Sequence, residues 1–179
     1  MLKQLPNFLT VSRIVMIPLI IASFYIEGQL WHWVAASLFV VASITDFFDG
    51  FIARQWQVQS KIGRFLDPIA DKLLVAAVMV MVVHFSLADV IPAILIVCRE
   101  ILVSGLREFL AEINVSVPVS RLAKIKTGFQ MVAIFLLLLG TEGSNVENID
   151  QIGNVALWIA SILTLITGYA YLKAGLKHM

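Results

Sequence analysis

Asp46-Phe-Phe-Asp49-Gly50-Phe-Ile-Ala53-Arg54, then residues 55–62, then Gly63-Arg-Phe-Leu-Asp67-Pro-Ile-Ala-Asp71, is the stretch on which this chain turns. Four carboxylates stand inside two otherwise hydrophobic runs. At 100° per residue, Asp46 and Asp49 lie about 60° apart on a helix, and Asp67 and Asp71 about 40° apart. Each helix therefore offers one acidic face. A single aspartate in lipid already costs about 2.5–3.5 kcal/mol, and four unneutralised ones would cost on the order of 10 kcal/mol. Structural ion pairs with Arg54 are the plain alternative, but they leave most of that charge unanswered. Converging carboxylates call for cations, and an oxygen-only ligand set favours a hard ion such as Mg²⁺ or Mn²⁺.

The small residues extend this reading. Gly50 and Ala53 lie on the side of Asp46 and Asp49 and leave room for a ligand to approach the backbone. Arg54, one turn beyond Gly50, offers a planar fork of donors to a phosphate. Acid pairs, a gap and a guanidinium are what a metal-bound diphosphate would need.

Working outward, composition sets the class. Of 179 residues, 60% are hydrophobic and only 14% charged, which places the chain among integral membrane proteins. The fold class expected is all-α: an integral membrane bundle of six transmembrane helices preceded by a short N-terminal interfacial segment over residues 1–13. The spans are expected at about Ile14–Ile26 with several residues before it and a kink at Pro18, then Trp31–Arg54, Arg64–Phe85, Val90–Ile113, Arg121–Leu139 and Ile152–Tyr171. Gly28, the Asn114–Pro118 stretch and the Gly140–Gly153 stretch carry the break signals. One membrane domain, 1–179, accounts for the whole chain. The first span has no small-residue cleavage site after it and is not read as a cleavable signal. The single Cys98 cannot form an internal disulfide.

Charge distribution orients the bundle. Connections near residues 27–32, 84–92 and 140–153 hold no Lys or Arg, although the chain has 13. The positive-inside rule then puts both termini and the aspartates on the cytoplasmic side of the membrane. His32 and His84 fall at the opposite surface and His178 in the tail, so proton transfer near the motif is left to an aspartate. Trp31 and Trp33 read as interface anchors. A second polar set occupies the fourth and fifth spans. Arg99-Glu100 and Arg107-Glu108 place their arginines about 80° apart, and Arg121, Lys124 and Lys126 follow. Arg99 is expected near mid-membrane, where an unpaired cation is costly. Pairing with Glu100, Glu108, Glu112 or the aspartates is one reading; a pocket for a phosphate-bearing substrate is the other.

The pattern D-x-x-D-G-x-x-A-R-x8-G-x3-D-x3-D resembles the signature of the CDP-alcohol phosphatidyltransferases and is matched here at every position. That resemblance implies a six-span, homodimeric enzyme using Mg²⁺ or Mn²⁺, two ions held by Asp46, Asp49, Asp67 and Asp71, with Asp71 also accepting a proton. It places CDP-diacylglycerol against Asn7, Thr10, Arg13, Gly50, Ala53, Arg54, Ser60 and Gly63. Three outer matches, Asn7-x-x-Thr10-x-x-Arg13, the Arg99–Glu108 stretch and Lys124-Ile-Lys126-Thr127, resemble members whose acceptor is sn-glycerol 3-phosphate. The acceptor's phosphate would meet Arg99, Arg107, Arg121, Lys124 and Lys126. A sibling using another alcohol is the alternative within the class, and a cation transporter the alternative outside it. The acids cluster toward one membrane face and no repeat is visible, which counts against transport. A covalent route through Ser43 or Thr45 lacks a histidine base. Membrane lipids are the expected surroundings, and no nucleic-acid partner is expected.

Overall fold

The computed structural model describes residues 5–56, 61–113, 115 and 121–176, without the side chains of 5–10, 46–56, 61–65, 67 and 121. The described residues form six helices and no strand: α1 Leu5–Ser23, α2 Leu30–Trp56, α3 Lys61–His84, α4 Val90–Glu112, α5 Arg121–Ser144 and α6 Ile149–Gly175. Two of them, through Leu122–Ser144 and Ile149–Gly175, are long and apolar enough to cross a membrane, and α1 and α2 hold shorter apolar stretches at Val11–Ser23 and Leu30–Thr45. Helices α3 and α4 carry Asp67, Asp71, Lys72, Arg99, Glu100 and Arg107 inside their apolar runs, which dilutes their hydropathy without shortening them.

The chain divides into two compact units: residues 1–81 with 138–147, and residues 82–137 with 148–179. In the first, α1 packs on α2. Ile20 of α1, Phe24 in the turn just after it, and Ala35, Ala36, Phe39 and Ala42 of α2 are buried; the alanines let backbones approach closely. Of the residues expected to lie in the interface, 5–13 form the opening turns of α1, which runs unbroken through Pro18. Arg13, in that opening part, is fully buried.

Helix α5 also departs from expectation. Gly140 was expected to begin a long connection, but helix resumes beyond it to Ser144. Gly140 has φ 59° and ψ 171°, a backbone state essentially reserved for glycine. Carbonyls at this irregularity take side-chain partners. His32 uses Nδ1 to bond Leu138 O at 2.8 Å, and Ser144 Oγ donates to Gly140 O at 2.7 Å. Trp33 Nε1 donates to Gly143 O at 2.8 Å while its ring stays half exposed, the arrangement of an interface anchor. His32 is buried, stacked on Trp31 at 3.6 Å between ring centroids, with Nε2 3.5 Å from Glu142. A Cβ at Gly143 would meet His32 Cβ at 2.5 Å, so only glycine fits there.

In the second unit, α4 packs on α6. The two faces of α6 are sorted in an unusual sense. Gly153, Ala160, Ser161, Thr164, Thr167, Gly168 and Gly175 are buried, with Ile149 and Leu157 the only large apolar side chains among them, whereas Ile152, Val155, Ile159, Ile162, Leu165, Ile166 and Tyr169 are exposed. Water would reverse this order; lipid favours it, because tight packing of small residues rather than burial of large ones holds helices together there. The same helix pins the turn before α4. Asn154 Nδ2 donates to Leu87 O at 3.0 Å, Asp89 N donates to Asn154 Oδ1 at 3.0 Å, and Trp158 Nε1 donates to Asp89 Oδ2 at 2.8 Å.

Candidate active site

Asp46, Asp49, Gly50, Ala53 and Arg54 all lie on the continuous helix α2, and Gly63, Asp67 and Asp71 on the continuous helix α3. The helical spacing assumed for each acid pair is therefore met by the backbone. The side chains of Asn7, Thr10, Asp46, Asp49, Ala53, Arg54, Asp67 and Arg121, and all of Ser60, lie outside the described residues. Pro68 stands between Asp67 and Asp71 and removes one donor from the helical ladder. Lys72 reaches back to donate to Pro68 O at 2.8 Å.

Asp71 is the acid whose surroundings are described. Its side chain keeps 43% of its surface exposed, and Arg13 donates from Nη1 to its Oδ1 at 2.7 Å. The guanidinium is fully buried, so the pair is asymmetric: a rigid cation under a carboxylate that still faces outward. A planar fork held by packing fixes the carboxylate's direction better than a flexible ammonium would. The sequence reading placed Arg13 against the lipid nucleotide; the structure brings it to Asp71.

Ser43 and Thr45 both donate to the carbonyl four residues back, at 2.8 Å to Phe39 O and 2.6 Å to Val41 O. Their hydroxyls are spent on the helix backbone.

The donor chemistry on α2 and α3 fits a divalent cation. Both acidic stretches offer oxygen alone, without thiolate or imidazole, and the described carboxylate is oriented and open. Among the described side chains no group of three metal-ligating residues converges.

In the second unit, Arg99, Glu100 and Lys126 come together. Arg99 Nη1 donates to Glu100 Oε1 at 3.1 Å, and Lys126 Nζ pairs with the same oxygen. Both cations are nearly buried, with 12% and 5% of their side-chain surface exposed. One glutamate charge against two cations leaves a positive surplus in apolar surroundings, which draws an anion. Arg107 and Lys124 are exposed, and neither joins this cluster. Arg99 has a further partner absent from the sequence reading: its Nη2 donates to Thr167 Oγ1 of α6 at 3.0 Å. A threonine in an apolar helix gives no sign of such a contact, because the partners are 68 residues apart.

The sequence profile described as CDP-alcohol phosphatidyltransferase matches residues 3–166. The chain belongs to this family: it is an enzyme of the phosphatidyltransferase class and a helical membrane protein, and the family works with divalent metal ions. Among its relatives is a protein of Rickettsia felis, 54% identical over 98% of this chain and 97% of its own length, named CDP-diacylglycerol–glycerol-3-phosphate 3-phosphatidyltransferase. A protein of the same name from Rickettsia bellii is 56% identical over the same shares. Another from Pectobacterium atrosepticum is 41% identical over 96% of this chain and 94% of its own.

Proposed function

We propose that this chain transfers the phosphatidyl group of CDP-diacylglycerol to sn-glycerol 3-phosphate, yielding phosphatidylglycerol phosphate and CMP. The relatives' shared name supports the reaction, and one observation on this molecule carries the choice of acceptor. Arg99 and Lys126 are buried on a single carboxylate oxygen, a cationic surplus that suits a phosphate monoester and has no use for serine.

Asp46, Asp49, Asp67 and Asp71 would hold the metal, as two Mg²⁺ or Mn²⁺ ions. When bound, these supply Lewis-acid polarisation of the diphosphate and offset charge on the leaving CMP. Gly50, Ala53 and Gly63 leave space for the nucleotide, and Arg54, Ser60, Asn7 and Thr10 contact it. Asp71, aimed by Arg13, takes the proton from the 1-hydroxyl of the acceptor. The freed oxygen bonds to the lipid-side phosphorus as the bond to CMP breaks. Arg99, Lys126, Arg107, Arg121 and Lys124 hold and steer the acceptor's phosphate.

The proposed setting is a bacterial inner membrane. All six helices span it as one domain, 1–179, with both termini and the acids on the cytoplasmic side, and the working form is a homodimer. The deciding experiment gives purified protein CDP-diacylglycerol and Mg²⁺ with, separately, glycerol 3-phosphate, inositol phosphate, serine or phosphatidylglycerol, and measures CMP release. Release driven by glycerol 3-phosphate alone is expected; release driven instead by inositol phosphate, serine or phosphatidylglycerol would overturn the acceptor assignment.

A further inference from the structure

We infer that Thr167 and Gly168, on α6, are positioning residues for Arg99 and through it set the affinity for the acceptor; this rests on Arg99 being a ligand of the acceptor's phosphate. Thr167 lies one residue past the stretch that the family profile matches.

The hydroxyl of Thr167 donates to its own helix, to Leu163 O at 2.8 Å and Thr164 O at 3.1 Å. With its one proton spent, Oγ1 presents lone pairs only, and Arg99 Nη2 donates to it at 3.0 Å. Glu100 takes the other terminal nitrogen at 3.1 Å. The two ends of the guanidinium are thus held by different helices, α4 and α6, and the plane of the fork is fixed between them. Gly168 supplies the space. A Cβ there would lie 3.0 Å from Arg99 Cγ and 3.2 Å from Nε, tighter than side chains tolerate unless the arginine shifts. Arg99 Nε is buried with no hydrogen-bond partner among the described residues. A buried cationic N–H left unsatisfied is costly.

Threonine's back-bonded hydroxyl followed by glycine therefore acts as a mould for one guanidinium. Removing the hydroxyl while keeping the shape, in Thr167→Val, lets the fork turn toward Glu100. The KM for glycerol 3-phosphate is expected to rise about ten-fold, within the range carried by a charge-assisted hydrogen bond. The KM for CDP-diacylglycerol and kcat at saturating acceptor should stay within about three-fold, less than one such bond is worth. Thr167→Ser, which keeps the acceptor oxygen, should restore the wild-type value, and Gly168→Ala should raise the acceptor KM by displacing Arg99. A role in packing alone would not separate the two KM values, nor be rescued by serine in place of threonine.

Arg99→Gln tells the two failures apart. If it leaves the acceptor KM unchanged, Arg99 does not hold the phosphate and the underlying reading falls. If it raises that KM while Thr167→Val and Gly168→Ala do not, the positioning role is overturned and the ligand role stands. Should Thr167→Val fail to fold, Gly168→Ala and Thr167→Ala carry the same comparison, and unchanged acceptor KM in both overturns the inference.

Discussion

Asp67 and Asp71 stand one helical turn apart on α3, and in the proposed mechanism only Asp71 moves a proton. Asparagine keeps the shape but removes charge and basicity. Asp67→Asn should mainly lose metal affinity, so raised Mg²⁺ or Mn²⁺ restores part of the activity. Asp71→Asn should lose turnover by about 10²–10⁴-fold, the share of a general base, with little rescue. Equal rescue of both would make Asp71 a ligand only. Arg13 offers a sharper test, because two roles predict different constants. If it aims Asp71, Arg13→Gln lowers kcat by about ten- to a hundred-fold, the loss expected when one charge-assisted bond goes, and leaves the KM for CDP-diacylglycerol alone. A raised KM with intact kcat would return it to the nucleotide. The acid pattern was legible because helical spacing and fixed sequence intervals carry it. The Arg13–Asp71 pair was not, since no period links residues 58 apart.

Among the elements, α5 shows what sequence can mislead about. Gly140 and Gly153 read as the edges of a loop, as glycines do when they flank polar residues. The structure uses Gly140 as a break inside a helix and Gly153 as a contact: a Cβ at Gly153 would meet Leu137 Cγ at 2.9 Å. His32 was placed at the outer surface and set aside as a base. Along α2 it is fourteen residues from Asp46, about 21 Å of helix, so the dismissal stands, but its burial and its bond to Leu138 O were invisible from sequence. His32→Phe should cost about 1–3 kcal/mol, because it leaves a buried carbonyl unpaired. Gly140→Ala should cost about 1–3 kcal/mol through backbone strain at positive φ. Thermal unfolding in detergent reads both; an unchanged midpoint for Gly140→Ala would show that the break is tolerated by any residue. The α-helical class and the order of elements followed from long apolar runs. The inward turn of small and polar residues on α6 did not, because a span hydrophobic all round hides which face meets protein.

For the molecule as a whole, orientation is the testable property. Cysteines at Gln59 and near the C-terminus should react only with a reagent admitted to the cytoplasm, and one at Ser144 with a reagent kept outside. Labelling of position 59 from the outer face would sink the proposed orientation. Cys98 is itself exposed, so these variants need a Cys98→Ser background.

The bond from Trp158 to Asp89 has a spectroscopic consequence. The chain has four tryptophans, and Trp31, Trp33 and Trp56 all belong to the first unit. Trp158 is thus the sole indole of the second, hydrogen-bonded to a carboxylate at the turn before α4. With the other three replaced by phenylalanine, the emission wavelength becomes a private readout of that turn. Its shift during denaturation, set against the loss of total helical signal, would tell whether the two units come apart together or in sequence.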